Sequence, residues 1–130
     1  MAIHLDEYQE LLEDLPSDSQ DVLRASWNEA ARVFSSRGLD NYLKGAVALH
    51  NLGRGEELVV TFIQDMPQVS RAIGEDVLPD VVNFLLGMAS KTSGQVLTLI
   101  VSTAPLAAER LGDADLFRNY LNVLSIMLAQ

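Results

Sequence analysis

A chain of 130 residues with 48% apolar side chains has the length and composition of one domain with a real core, which argues against a disordered chain. There is no cysteine, so disulfides, thiolate nucleophiles and sulfur-ligated metals are excluded together. The net charge of −9, with basic residues scattered rather than striped, opposes binding to nucleic acid or to an anionic membrane surface.

The charge is uneven along the chain. Residues 1–21 hold Asp6, Glu7, Glu10, Glu13, Asp14, Asp18 and Asp21 and no Lys or Arg, while the remainder is close to balanced. The start shows no signal-peptide pattern, which makes the cytoplasm the default location.

Ile3–Leu15 reads as a short amphipathic helix. Leu5, Tyr8, Leu11, Leu12 and Leu15 share one side, and Asp6, Glu10, Glu13 and Asp14 occupy the other. Pro16 ends it by pushing the preceding residue out of helical geometry. Ser17-x-x-Gln20 has the form of a capping box for a second helix, with Asp18 and Asp21 near its positive end. That helix is expected to run to about Arg37, with Leu23, Trp27, Ala30, Ala31 and Phe34 inward and Gly38 as its left-handed terminator.

Leu39–Leu52 is a third helix, and Gly53-Arg54-Gly55 breaks the chain after it. A fourth helix spans Glu56–Ile73, with Pro67 expected to kink or split it because proline removes a backbone donor. Glu57–Ile63 is the one run with some strand character. After Gly74, a fifth helix covers Glu75–Ser90, with Pro79 near its first turn where a missing N–H costs least.

Thr92–Ala108 carries no charge and almost no polar face. A helix apolar all round is buried on nearly every side, so this stretch is expected at the centre of the domain. Seventeen uncharged residues interrupted by Thr98, Ser102, Thr103 and Pro105 fall short of the roughly 20 that span a bilayer. The helix continues to Leu111, and Gly112 separates it from a last one, Asp113–Ala129.

These breaks repeat. Pro67, Ile73, Gly74, Leu78, Leu86 and Met88 recur 38 residues later as Pro105, Leu111, Gly112, Leu116, Leu124 and Ile126. Gly38, Tyr42, Leu49 and Leu52 precede Gly74, Leu78, Leu85 and Met88 by 36. Two helices per period of about 37 predict an all-α, HEAT-like α-solenoid of six or seven helices over residues 1–130, each hairpin burying its apolar face only by stacking on its neighbours. The closing Ser125-Ile126-Met127-Leu128-Ala129-Gln130 lacks the polar end a solenoid needs, which reads as the N-terminal part of a longer protein.

Few residues offer chemistry. His4 and His50 have no second ligand at helical spacing, whereas a metal site needs three or four converging donors. Asp113-x-Asp115 and Glu75-Asp76 begin helices, where acids complement the dipole. Gly53-Arg54-Gly55 resembles a phosphate nest, but Glu56 and Glu57 already put negative charge there. Gly87-Met88-Ala89-Ser90-Lys91-Thr92 lacks the glycine before the lysine and the preceding strand of a P-loop. No serine has a credible base, and the polar residues expected near the core are Ser102, Thr103 and Asn83. No catalytic, cofactor-binding or metal-binding residue is expected, and the chain reads as a protein other than an enzyme. The acidic face of Ile3–Leu15, namely Asp6, Glu7, Glu10, Glu13 and Asp14, is the one candidate partner surface.

The blocks Ala30–Ala46, Leu52–Gly55, Gly74–Leu78, Ala89–Gly94 and Arg110–Arg118 resemble the N-terminal helical region of the von Willebrand factor A-domain adaptors that accompany MoxR-type AAA+ ATPases. The nearest members are the nitric-oxide-reductase activation proteins (NorD type) and the Rubisco-activase adaptors (CbbO type), and the similarity runs over residues 3–130. The resemblance implies a system in which a hexameric ATPase remodels a client enzyme, Rubisco or nitric oxide reductase, and an adaptor selects it. In that family the client-reading, metal-binding site lies in the C-terminal A-domain, whose Asp-x-Ser-x-Ser motif is absent here, so no family catalytic residue maps onto this chain. The helical region is implied to help dock the adaptor on the ATPase ring. A free-standing HEAT-like scaffold that binds a peptide or protein partner in its groove is the alternative.

Overall fold

The computed structural model describes residues 5–130, so the expected helix start at Ile3, and His4, lie outside the described residues. A 3-10 turn, Leu5–Tyr8, leads into α1 (Gln9–Glu13), followed by α2 (Ser17–Val33), α3 (Ser36–Leu52) and α4 (Glu56–Ile73). A second 3-10 turn, Glu75–Val77, precedes α5 (Leu78–Met88), and α6 (Gly94–Leu111) and α7 (Ala114–Leu128) complete the chain. The described residues contain seven α-helices and no strand; Glu57–Ile63 is helical.

The helices form two layers. Helices α2, α4 and α6 lie side by side in one, and α1, α3, α5 and α7 in the other. Each hairpin therefore stacks on the next, which is the HEAT-like arrangement the repeat predicts. The period is written in polar contacts between hairpins as well. Ser19 bonds Glu56, Asp80 pairs with Arg118, Ser35 bonds Glu75 and Glu29 pairs with Arg71, at separations of 37, 38, 40 and 42 residues. Ser19–Glu56 near the helix starts and Glu29–Arg71 nearer their ends set α2 and α4 parallel.

The centre is α4 and not the Thr92–Ala108 stretch. Leu58, Val59, Phe62, Ile63, Met66 and Val69 are all fully buried. Each such side chain contributes roughly 1.5–3 kcal/mol of transfer free energy. Helix α6 buries Leu97, Val101, Ala104 and Ala108, yet leaves Leu99 62% and Leu106 57% exposed. The reason is position within the layer: α4 has α2 on one side, α6 on the other and α3 behind it, whereas α6 ends its layer. Apolar composition alone does not count neighbours. At the same end of the stack, α7 leaves Leu116, Val123, Ile126 and Met127 exposed.

Pro67 does not split α4, which runs unbroken from Glu56 to Ile73. Proline at position 67 removes the N–H that the Ile63 carbonyl would accept, and the buried Tyr42 hydroxyl of α3 donates to that carbonyl instead. Tyr42 also lies between Phe34 and Phe62, with ring centroids 5.0 and 6.2 Å away, so one side chain joins α3 to the end of α2 and to α4.

Several helix ends differ from the expected ones, and the expected helix Glu75–Ser90 is a 3-10 turn, Glu75–Val77, followed by α5, Leu78–Met88. Helix α2 stops at Val33 and Gly38 lies within α3, buried, because Ser35 caps α3 by accepting from the Gly38 N–H at 3.2 Å. A Cβ at Gly38 would meet the Glu75 carboxyl group at 2.7 Å, so close approach explains that glycine. At the start of α2, Ser17 is the first helical residue and makes no cap bond. Gln20 donates instead to the Leu15 carbonyl at 2.7 Å, closing the corner at Pro16.

Candidate interaction surface

Asp6, Glu7, Glu10, Glu13 and Asp14 are all exposed. Their segment is shorter and less regular than one amphipathic helix: a 3-10 turn carries Asp6 and Glu7, and α1 carries Glu10 and Glu13. It is nevertheless anchored. Leu12 and Leu15 are buried, and the half-buried Tyr8 ring stands 5.6 Å from the ring of Trp27 on α2. Burial on one side and exposed carboxylates on the other fix a negative edge to the first hairpin.

The charge is felt by its neighbours. Burial, reinforced by the negative charges of Asp40 and Glu7, pushes the Tyr8 phenol above its ordinary pKa. Asp6, Glu7 and Glu10 share an open groove with Asp40 of α3, which brings a fourth carboxylate to that groove from another helix. Lys44 is paired with Asp40 at 2.8 Å.

A second polar cluster was not legible in the sequence. Glu56 at the start of α4 accepts from the buried Ser19 hydroxyl at 2.6 Å and pairs through its other oxygen with His50 Nδ1. His50 and Glu56 flank Gly53-Arg54-Gly55, and positive φ at both glycines turns Glu56 back over the last turn of α3. With the glutamate in the middle, Ser19 is bonded to Glu56 and not to the histidine, and it is fully buried. A nucleophile needs a base on its own hydroxyl and access to substrate, so this cluster ties α2, α3 and α4 together. The Glu56 carboxylate also fills the helix start where a phosphate would have to bind.

The other sequence candidates fall into place locally. Asp113 caps α7, its carboxylate accepting from the Asp115 N–H at 3.0 Å. Glu75 does not serve α5 but reaches back to Ser35. Ser102 and Thr103 are not near the core; both are exposed and bond carbonyls of their own helix, at Leu99 and at Leu99 and Ile100. Asn83 is exposed too. Among the described residues the buried polar side chains are Ser19 and Ser70.

The α1/α3/α5/α7 layer carries two further grooves beyond the acidic one. The first, about 260 Å³, lies between α3 and α5 and is lined by Asn41, Lys44, Gly45 and Asn83 among others. The second, about 400 Å³, lies between α5 and α7, with Asn83, Phe84, Arg118 and Asn122 in its walls.

Among the described residues no group of three or more His, Asp or Glu side chains is arranged to hold a metal ion. No helix among them is long and apolar enough to cross a membrane. No family model matches the chain, and neither a curated protein nor a solved structure matches it.

Proposed function

We propose that this chain is a non-catalytic, cytoplasmic protein-interaction module of an adaptor. In this reading it couples a hexameric MoxR-type AAA+ ATPase to a client enzyme, Rubisco or nitric oxide reductase, by helping to dock the adaptor on the ATPase ring. Client reading would belong to a C-terminal A-domain of the kind the resemblance implies. The observation that supports the reading best is the negative edge: five exposed carboxylates on a segment whose apolar side is anchored by Leu12, Leu15 and the Tyr8–Trp27 contact. Fixed charge of one sign steers a partner of the opposite sign and sets its register. Binding of the purified chain to a purified MoxR-type hexamer, followed by sedimentation, tests it. Co-sedimentation that weakens with added salt is expected; no association at low salt would refute the docking role.

The paired grooves along the α1/α3/α5/α7 layer favour a second reading, a HEAT-like scaffold that holds a peptide or protein partner.

A further inference from the structure

Three asparagines, one on each of three stacked helices, line adjoining grooves of the same layer. Asn41 of α3 and Asn83 of α5 line the groove between those helices, and Asn83 and Asn122 of α7 line the next. Asn83 stands in the wall common to both. None of the three carboxamides bonds another group of the described residues, so each keeps its donors and its acceptor for a ligand. Beyond Asn41, the neighbouring Asp40 lines the acidic groove with Asp6, Glu7 and Glu10. One face of the molecule thus offers an asparagine at each helix and carboxylates at one end.

We propose that this face binds an extended polypeptide segment whose backbone amides pair with Asn41, Asn83 and Asn122, and whose Lys or Arg residues lie in the acidic groove against Asp6, Glu7 and Glu10. A carboxamide carries one acceptor and a pair of donor N–H groups, the same functions as a peptide unit, and so matches a backbone without reading side chains. The spacing agrees. Stacked helices lie about 8–10 Å apart, and an extended chain rises about 3.3 Å per residue, so one asparagine meets about every third residue. The acidic end selects the charge: a segment of basic residues is attracted there and an acidic one repelled. The remaining ions of the face, Lys44 with Asp40 and Arg118 with Asp80, are already paired. The site is a property of this chain and does not depend on the ATPase being its partner.

The test uses the full chain and a random dodecapeptide library displayed on phage, with the most enriched peptide synthesised and labelled. Enriched sequences should gather Lys or Arg toward one end. Asn83→Ala, which alters an exposed side chain and should leave the melting temperature unchanged, should weaken the peptide about tenfold, the loss of one or two hydrogen bonds. N-methylation of the peptide backbone, position by position, should reduce affinity at about every third residue. Failure to enrich any peptide would overturn the proposal. So would a peptide that loses affinity when Asp6, Glu7 and Glu10 are neutralised but binds Asn83→Ala and Asn122→Ala unchanged, because charge alone would then account for it.

Discussion

The hydroxyl of Tyr42 donates to the backbone carbonyl of Ile63, the acceptor that Pro67 four residues later leaves without its helical partner. A residue on one helix thereby repairs the hydrogen-bond ladder of the next, at the point where α4 is most enclosed. Burial pushes the Tyr42 phenol far above its ordinary pKa, with the charge of Glu29 adding to it, so the group stays a donor across the accessible pH range.

This relationship predicts a coupling. Tyr42→Phe leaves the Ile63 carbonyl buried and unpaired, at a cost of about 1–3 kcal/mol. Pro67→Ala restores an N–H at position 67 that can take the same carbonyl. The cost of Tyr42→Phe should therefore shrink in the Pro67→Ala background, read by urea unfolding of the four proteins. Costs that add within about 0.5 kcal/mol would show that the two residues act independently.

Glu75 predicts an acid-side instability. It accepts from the Ser35 hydroxyl at 2.6 Å and the Ser35 N–H at 2.8 Å, and these bonds, with Arg37 nearby, outweigh partial burial and hold its carboxyl below the ordinary 4.5. With the folded-state pKa below the unfolded one, the contribution is complete above about pH 5 and is lost as pH falls through the lowered value. Glu75→Gln should lower the melting temperature at neutral pH and lose less than the parent chain between about pH 5 and pH 3. Parallel pH profiles would contradict this assignment.

Two glycines should respond to alanine in opposite directions. A Cβ at Gly94, the first residue of α6, would lie 2.0 Å from the Arg54 carbonyl oxygen, so backbone must move. Gly94→Ala is expected to cost about 1–3 kcal/mol, as overpacking does. Gly87 lies within α5 with nothing near its missing Cβ, and Gly87→Ala should stabilise by about 0.5–1 kcal/mol through helix propensity. Thermal melts of both variants check the signs.

The sequence pattern carried the helices, the hairpin period and the glycine turns at Gly53, Gly74 and Gly112, because these are local. It misplaced what depends on neighbours. The uncharged stretch Thr92–Ala108 looked more central than α4; yet α4 is flanked on both sides and buries Leu58, Val59, Phe62, Ile63, Met66 and Val69. Ser35 overruled Gly38 as the boundary because a side-chain cap begins a helix as firmly as a glycine ends one. The Ser19–Glu56–His50 cluster joins residues at no helical spacing, and only the turn through Gly53 and Gly55 unites them. The exposure of Asp6, Glu7, Glu10, Glu13 and Asp14 was legible, while the approach of Asp40 to them needed the packing of α1 on α3.

The measurement that bears most directly on the proposed role compares this chain with a variant in which Glu7, Glu10, Glu13 and Asp14 are neutralised. All four side chains are exposed, so the fold should persist, and matching circular dichroism and melting curves verify that first. Affinity for a MoxR-type ATPase hexamer is then measured for both across a salt series from about 0.01 M to 0.5 M, over which screening shortens from roughly 30 Å to a few ångströms. The account predicts weaker binding by the variant at low salt, a flatter salt dependence, and convergence of the two curves at high salt. Superimposable curves would contradict it and leave the acidic edge as a solvated surface.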